Sequence, residues 1–102
     1  MNKRANAARG EAAIVVGGEA VVLRPSFAAL VAAEEELGSP FALVERAAAG
    51  ELRLGEIAGL FWHCAGEGVS RESVGEAVAR MGLARVTPVL KVLLTQILQG
   101  RV

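Results

Sequence analysis

The run Val21-Val22-Leu23-Arg24-Pro25-Ser26-Phe27-Ala28-Ala29-Leu30, continuing through Glu34-Glu35-Glu36-Leu37-Gly38, constrains this chain more than any other stretch. An extended apolar segment stops at a proline, and a helix starts almost at once. Pro25 lacks the N–H that a strand ladder needs, so the strand ends there. Ser26 supplies an oxygen that can cap the first free helical amides. Gly38 then gives the helix a residue on which to close. Upstream, Ala12 to Val16 and Ala20 to Leu23 flank Gly17-Gly18, a pair suited to a tight hairpin turn. A β-hairpin followed by a helix over 27–37 is the expectation. An isolated hairpin is marginal in water, so this one must pack on helices or pair with another chain.

The remaining sequence is punctuated in the same way. Phe27, Leu30, Val31 and Leu37 lie near one face of the first helix, the side expected to meet the core. Ser39-Pro40 opens a second helix over 40–49, with Phe41, Val44, Ala47 and Ala48 inward and Gly50 at its end. After the connector Leu52 to Leu54, a third helix carries Leu54, Ile57, Ala58, Phe61 and Ala65 on one face. Ser70 caps a fourth, in which Val74, Ala77, Val78 and Met81 keep i, i+3, i+4, i+7 spacing. Thr87-Pro88 either starts a fifth helix or kinks it in its first turn. The expected fold is α+β and mostly helical: an N-terminal β-hairpin followed by about five short helices. Residues 1–10 read as a mobile tail and 11–102 as a single compact domain, long enough to bury a core without disulfides.

Charge excludes some functions. Eleven basic and eleven acidic residues cancel, the arginines are scattered, and no aromatic residues alternate with them. No nucleic-acid partner is expected from such a surface. Zero net charge does favour association. Cys64 is the only cysteine, which suits a reducing cytoplasm. Lys3, Arg4 and Arg9 are followed by no apolar run, so no secretory signal is expected. Val86 to Leu98 contains Pro88, Lys91, Thr95 and Gln96, and is too short and polar for a bilayer span.

Candidate chemistry is sparse. His63-Cys64 is the one pair with metal or nucleophile potential, but zinc needs about three or four ligands. Adjacent helical residues also point about 100° apart. A small buried thiol beside a polar-face imidazole is the plainer reading. Gly17-Gly18 lacks both the P-loop spacing and the dinucleotide fingerprint. Glu34-Glu35-Glu36 fans around a helix rather than converging on one atom. Glu34 follows Leu30 and Val31 by one turn and is expected to pair with Arg24 or Arg46. No catalytic residue, cofactor or metal site is expected.

Surface is more informative than chemistry. Val86, Val89, Leu90, Val92, Leu93, Leu94, Ile97 and Leu98 cover more of the last helix than one core-facing stripe requires. Leu90, Leu93, Leu94 and Ile97 form the stripe, and Val89 and Val92 lie off it. A helix apolar most of the way round is buried on more than one side, here by the hairpin or by another protein. Trp62, the single tryptophan, follows Phe61 and is read as core or as a partner anchor.

The Leu-Arg-Pro-Ser-Phe run (23–27), Glu34 through Leu37-Gly38, Ala42-Leu43-Val44-Glu45-Arg46 with Gly50, and Leu52-Arg53-Leu54-Gly55-Glu56-Ile57 together resemble the gene-transfer-agent family of small phage-tail proteins. The likeness extends over the third-helix segment ending at Gly66 and over Val69 to Gly82, about 11–98 in all. Members are described as tail assembly chaperones or tail tube-associated proteins. The resemblance implies a non-enzymatic role in the bacterial cytoplasm while a prophage or gene-transfer-agent particle is built. Its expected partners are the tape-measure protein, the tail-tube protein or a further copy of itself. Phe61 and Trp62, with Val89, Leu90, Val92, Leu93, Leu94 and Ile97, are the expected partner-binding residues. The alternative is a structural component kept in the finished tail and pairing through its hairpin edge.

Overall fold

The computed structural model describes residues 5–6 and 10–100. Strand β1 (Ala12–Val16) pairs antiparallel with β2 (Glu19–Leu23), in a register running from Ala12 opposite Leu23 to Val16 opposite Glu19. Gly17 and Gly18 have φ of +58° and +84°. A two-residue turn that matches strand twist needs positive φ at both positions, which explains the glycine pair. Five helices follow: α1 (Phe27–Leu37), α2 (Pro40–Ala48), α3 (Leu54–Ala65), α4 (Arg71–Met81) and α5 (Leu83–Gln99). The fold is thus α+β and mostly helical, as expected.

Serine chemistry sets the starts of three helices. Ser26 Oγ accepts from the Ala29 N–H at 3.2 Å, Ser39 Oγ from Phe41 at 3.2 Å and Ser70 Oγ from Ser73 at 3.1 Å. Each satisfies an amide that has no partner within its helix. At α3 the same task falls to Glu56, whose carboxylate accepts from the Arg53 N–H at 2.9 Å.

The core gathers around α3, which packs against α1, α4 and β2, while β1 lies against α4 and α5. Phe61 and Leu60 of α3 are buried with Leu23, Ile14, Val74, Val86 and Leu93. Burying each side chain of this size stabilises the fold by about 1.5–3 kcal/mol. The Arg24 N–H donates to the Cys64 carbonyl at 2.8 Å, tying the end of β2 to the last turn of α3.

Two expectations are corrected. The fifth helix begins at Leu83, not at Thr87, and Pro88 falls in its second turn. Gly82 closes α4 through its N–H and accepts from the Val86 N–H at 3.0 Å, so one residue separates the helices. Phe27 and Phe41 face outward, 85% and 77% exposed. Ala33 is the buried residue of α1 and Leu43 that of α2, so these helices seat on other faces than their phenylalanines. The mobile tail expected over 1–10 lies largely outside the described residues. Within it, the Asn6 N–H donates to Glu11 Oε1 and its carbonyl accepts from the Glu11 N–H, each at 3.0 Å.

Candidate functional site

Helix α1 buries Ala33 and packs on α3, and its residues Phe27, Leu30, Val31 and Glu34 line a groove on another side. Pro40, Phe41 and Val44 of α2 line it too, and Ile97 and Leu98 of α5 close the floor. The result is an open apolar groove of about 360 Å³. Val44 and Leu98 also line a second hollow of about 350 Å³, which runs along α5 past Leu94, Leu90 and Lys91. Val44 and Leu98 join the two hollows into one apolar trough, with Glu34 among the residues lining the first and Lys91 among those lining the second. Such a surface can hold the apolar face of a helix.

The expected partner-binding residues do not share one surface. Phe61 and Leu93 are 0% exposed and belong to the core. Val89, Leu90 and Leu94 pack half-buried against it. Leu90, Leu94 and Ile97 contribute to the trough, whereas Val92 borders a separate hollow with Gly10 and Pro88. Trp62 sits among α3 and α4 residues, its indole N–H donating to the Val69 carbonyl at 3.0 Å. Phe27, Val31 and Phe41 are surface residues that periodicity alone placed on core-facing stripes, and Leu98, counted in the wide apolar face of the last helix, is exposed as well. Their signal was a stripe too wide for one neighbour, on α1 as well as on α5.

A polar cluster joins three helices beside Trp62. His63 Nε2 lies 2.8 Å from Glu36 Oε1, and the Arg71 guanidinium donates to Glu36 Oε2. These partners hold the Glu36 carboxyl below its usual range, the Arg71 hydrogen bond most of all. Arg71 also lies over the Trp62 ring, 5.2 Å from its centroid. Gly59 makes the approach possible, because a Cβ there would stand 2.5 Å from the Arg71 guanidinium. Glu36, rather than Glu34, is therefore the paired glutamate of the acidic run. Arg24 and Arg46, expected to meet Glu34, instead pair with Glu11 at 3.2 Å and Glu56 at 2.6 Å.

The Cys64 thiol is 3% exposed, and burial pushes its pKa up to about 12. A thiol of that kind holds almost no thiolate near neutrality and is a poor nucleophile. Among the described residues no group of three or more His, Cys, Asp or Glu side chains could hold a metal ion. No helix among them is long and apolar enough to cross a membrane.

No curated protein and no solved structure matches the chain. The family model described as phage tail tube protein, GTA-gp10, matches residues 9–100, which takes in both strands and all five helices. A match over so much of the sequence is decisive: the chain belongs to this family of phage and gene-transfer-agent tail proteins.

Proposed function

We propose that this protein is a non-catalytic tail assembly chaperone that holds an apolar helix of the tape-measure protein during tail morphogenesis. The groove between α1, α2 and α5 carries this reading. Tape-measure helices need their apolar faces covered until tube subunits surround them. An open groove with two exposed phenylalanines suits that task by the helix-in-groove mode. The half-buried Leu90, Leu94 and Ile97 belong to the proposed surface, and Phe27, Phe41, Val44 and Leu98 extend it. Binding takes place in the bacterial cytoplasm, before the particle is complete.

Co-expression with the tape-measure protein of the same tail gene cluster tests the reading. The tape measure is expected to become soluble and to copurify with the wild-type chain. With the double variant F27S/F41S it is expected to stay insoluble. If wild type leaves it insoluble and tail-tube subunits copurify instead, the chaperone role falls.

A second reading has its own support. The family description names a tail tube protein, and a two-stranded sheet leaves each strand with an outer edge. Such edges can template pairing with neighbouring subunits. Finding the protein in washed, mature particles would favour a retained structural component.

A further inference from the structure

Helix α2 is attached to the rest of the molecule differently from every other element. Among the described residues, Ile14, Leu23, Ala33, Phe61, Val74 and Leu93 bring both strands and the other four helices into one continuous apolar core, and α2 places no side chain in it. Leu43, the one buried residue of α2, lies outside that core. The helix rests on α5 more than on any other element. Even there the fit is loose, because Val44 lines both open hollows of the trough. Gly38 stands between α1 and the Ser39 cap with φ of +92°, and Gly50 follows α2 with φ of +73°. The space around both glycines is open, since a Cβ at either would meet nothing within 4 Å. An element joined to a fold by few apolar contacts opens at lower free energy than the core does.

An ion pair ties α2 back. Arg46 Nη1 donates to Glu56 Oε2 at 2.6 Å. Glu56 is itself fixed at the start of α3, where its other oxygen accepts from the Arg53 N–H at 2.9 Å. A carboxylate held on the central helix thus anchors a cation on the loosely packed one. We propose that α2 is a lid, hinged at Gly38 and Gly50 and latched by Arg46–Glu56, that lifts from α5 while the rest of the fold stays closed. Lifting widens the trough, because Pro40, Phe41 and Val44 form its α2 wall. The lid itself is independent of the chaperone reading. A further step rests on that reading: a partner helix enters with the lid raised, then holds it shut by touching α1, α2 and α5 together.

The test is hydrogen exchange of the full chain, read by mass spectrometry on peptides from each helix. Nine residues make a marginal helix in water once detached, so a raised lid opens its own amides to exchange. The amides of residues 41–48 are expected to exchange at least about tenfold faster than those of α3 and α4. R46M keeps an apolar stem and removes the charge. It is expected to speed α2 exchange a further two- to fivefold or about that, with α3 and α4 unchanged. Equal rates for α2 and α3 in the wild-type chain overturn the proposal, because α2 would then open only with the whole fold. So does an R46M effect spread evenly over α2, α3 and α4, or one absent from α2. Adding the tape-measure protein separates the two readings. Slower α2 exchange in the complex supports both. A fast-exchanging α2 that the tape measure leaves unchanged keeps the lid and removes the chaperone step.

Discussion

Glu36 and Cys64 show how far single residues can be understood from their surroundings. Glu36 accepts from Arg71 and meets His63, and its carboxyl is held below its usual value of 4.5. A carboxyl lowered in the folded state adds stability that is complete above its unfolded value. That stability is lost as pH falls from about 4.5 through the lower folded value. The side chain is 38% exposed, so solvent screening limits the contribution to about 1 kcal/mol or less. E36Q is therefore expected to lower stability slightly in urea melts at pH 7, and to match wild type in acid below the folded value. An equal loss at both pH values would mean that packing, not charge, holds the cluster. Cys64 is expected to resist iodoacetamide in the native protein and to react once urea unfolds it. Native alkylation would reopen a nucleophilic role for the His63-Cys64 pair. Cys64's burial was legible from its place among apolar helical neighbours. The partners of Glu36 were not, because His63 and Arg71 lie 27 and 35 positions away and only tertiary packing brings them close.

Elements were legible where their boundary chemistry is local. Ser26, Ser39 and Ser70 cap helices within three residues of themselves, so the sequence carries the whole signal. The start of α5 was misplaced for a related reason. Thr87-Pro88 resembles a helix opening, yet Thr87 Oγ1 donates back to the Leu83 carbonyl at 2.7 Å, one turn inside an existing helix. Pro88 then deprives the Ala84 carbonyl of an i to i−4 donor and crowds it, which costs about 3 kcal/mol in a regular helix interior. P88A is expected to raise the unfolding free energy from urea melts by up to that amount, seen as a higher midpoint with the denaturant slope unchanged. A lower midpoint would show that the ring makes contacts worth more than the missing hydrogen bond. Amphipathic stripes on α1 and α2 were equally visible, but a stripe says only that a face is apolar. Whether a neighbour covers it depends on where the helix docks: α1 packs on α3 with Ala33 buried and Ala29 and Leu37 against the core, which leaves Phe27 and Val31 exposed.

At the scale of the whole molecule, the three phenylalanines divide into one that the fold encloses and two that it leaves exposed. Phe61 is completely enclosed, while Phe27 and Phe41 stand in solvent at the mouth of the groove. Truncating an enclosed phenylalanine removes its transfer energy and leaves a cavity, so F61A is expected to cost about 3–5 kcal/mol. A domain of this size has only about 5–15 kcal/mol to lose. Exposed positions behave differently, and surface substitutions usually change stability by about 0.5 kcal/mol or less. F27S/F41S is therefore expected to keep the wild-type melting temperature within a few degrees. If the groove is a binding surface, the same variant loses tape-measure solubilisation. F61A lowers stability first, and loses binding only as it unfolds. Measuring thermal melts and partner recovery on both variants sets these apart. Should F27S/F41S melt as far below wild type as F61A, the two exposed rings would be part of the fold. The groove would then be a packing defect rather than a surface kept open for a partner.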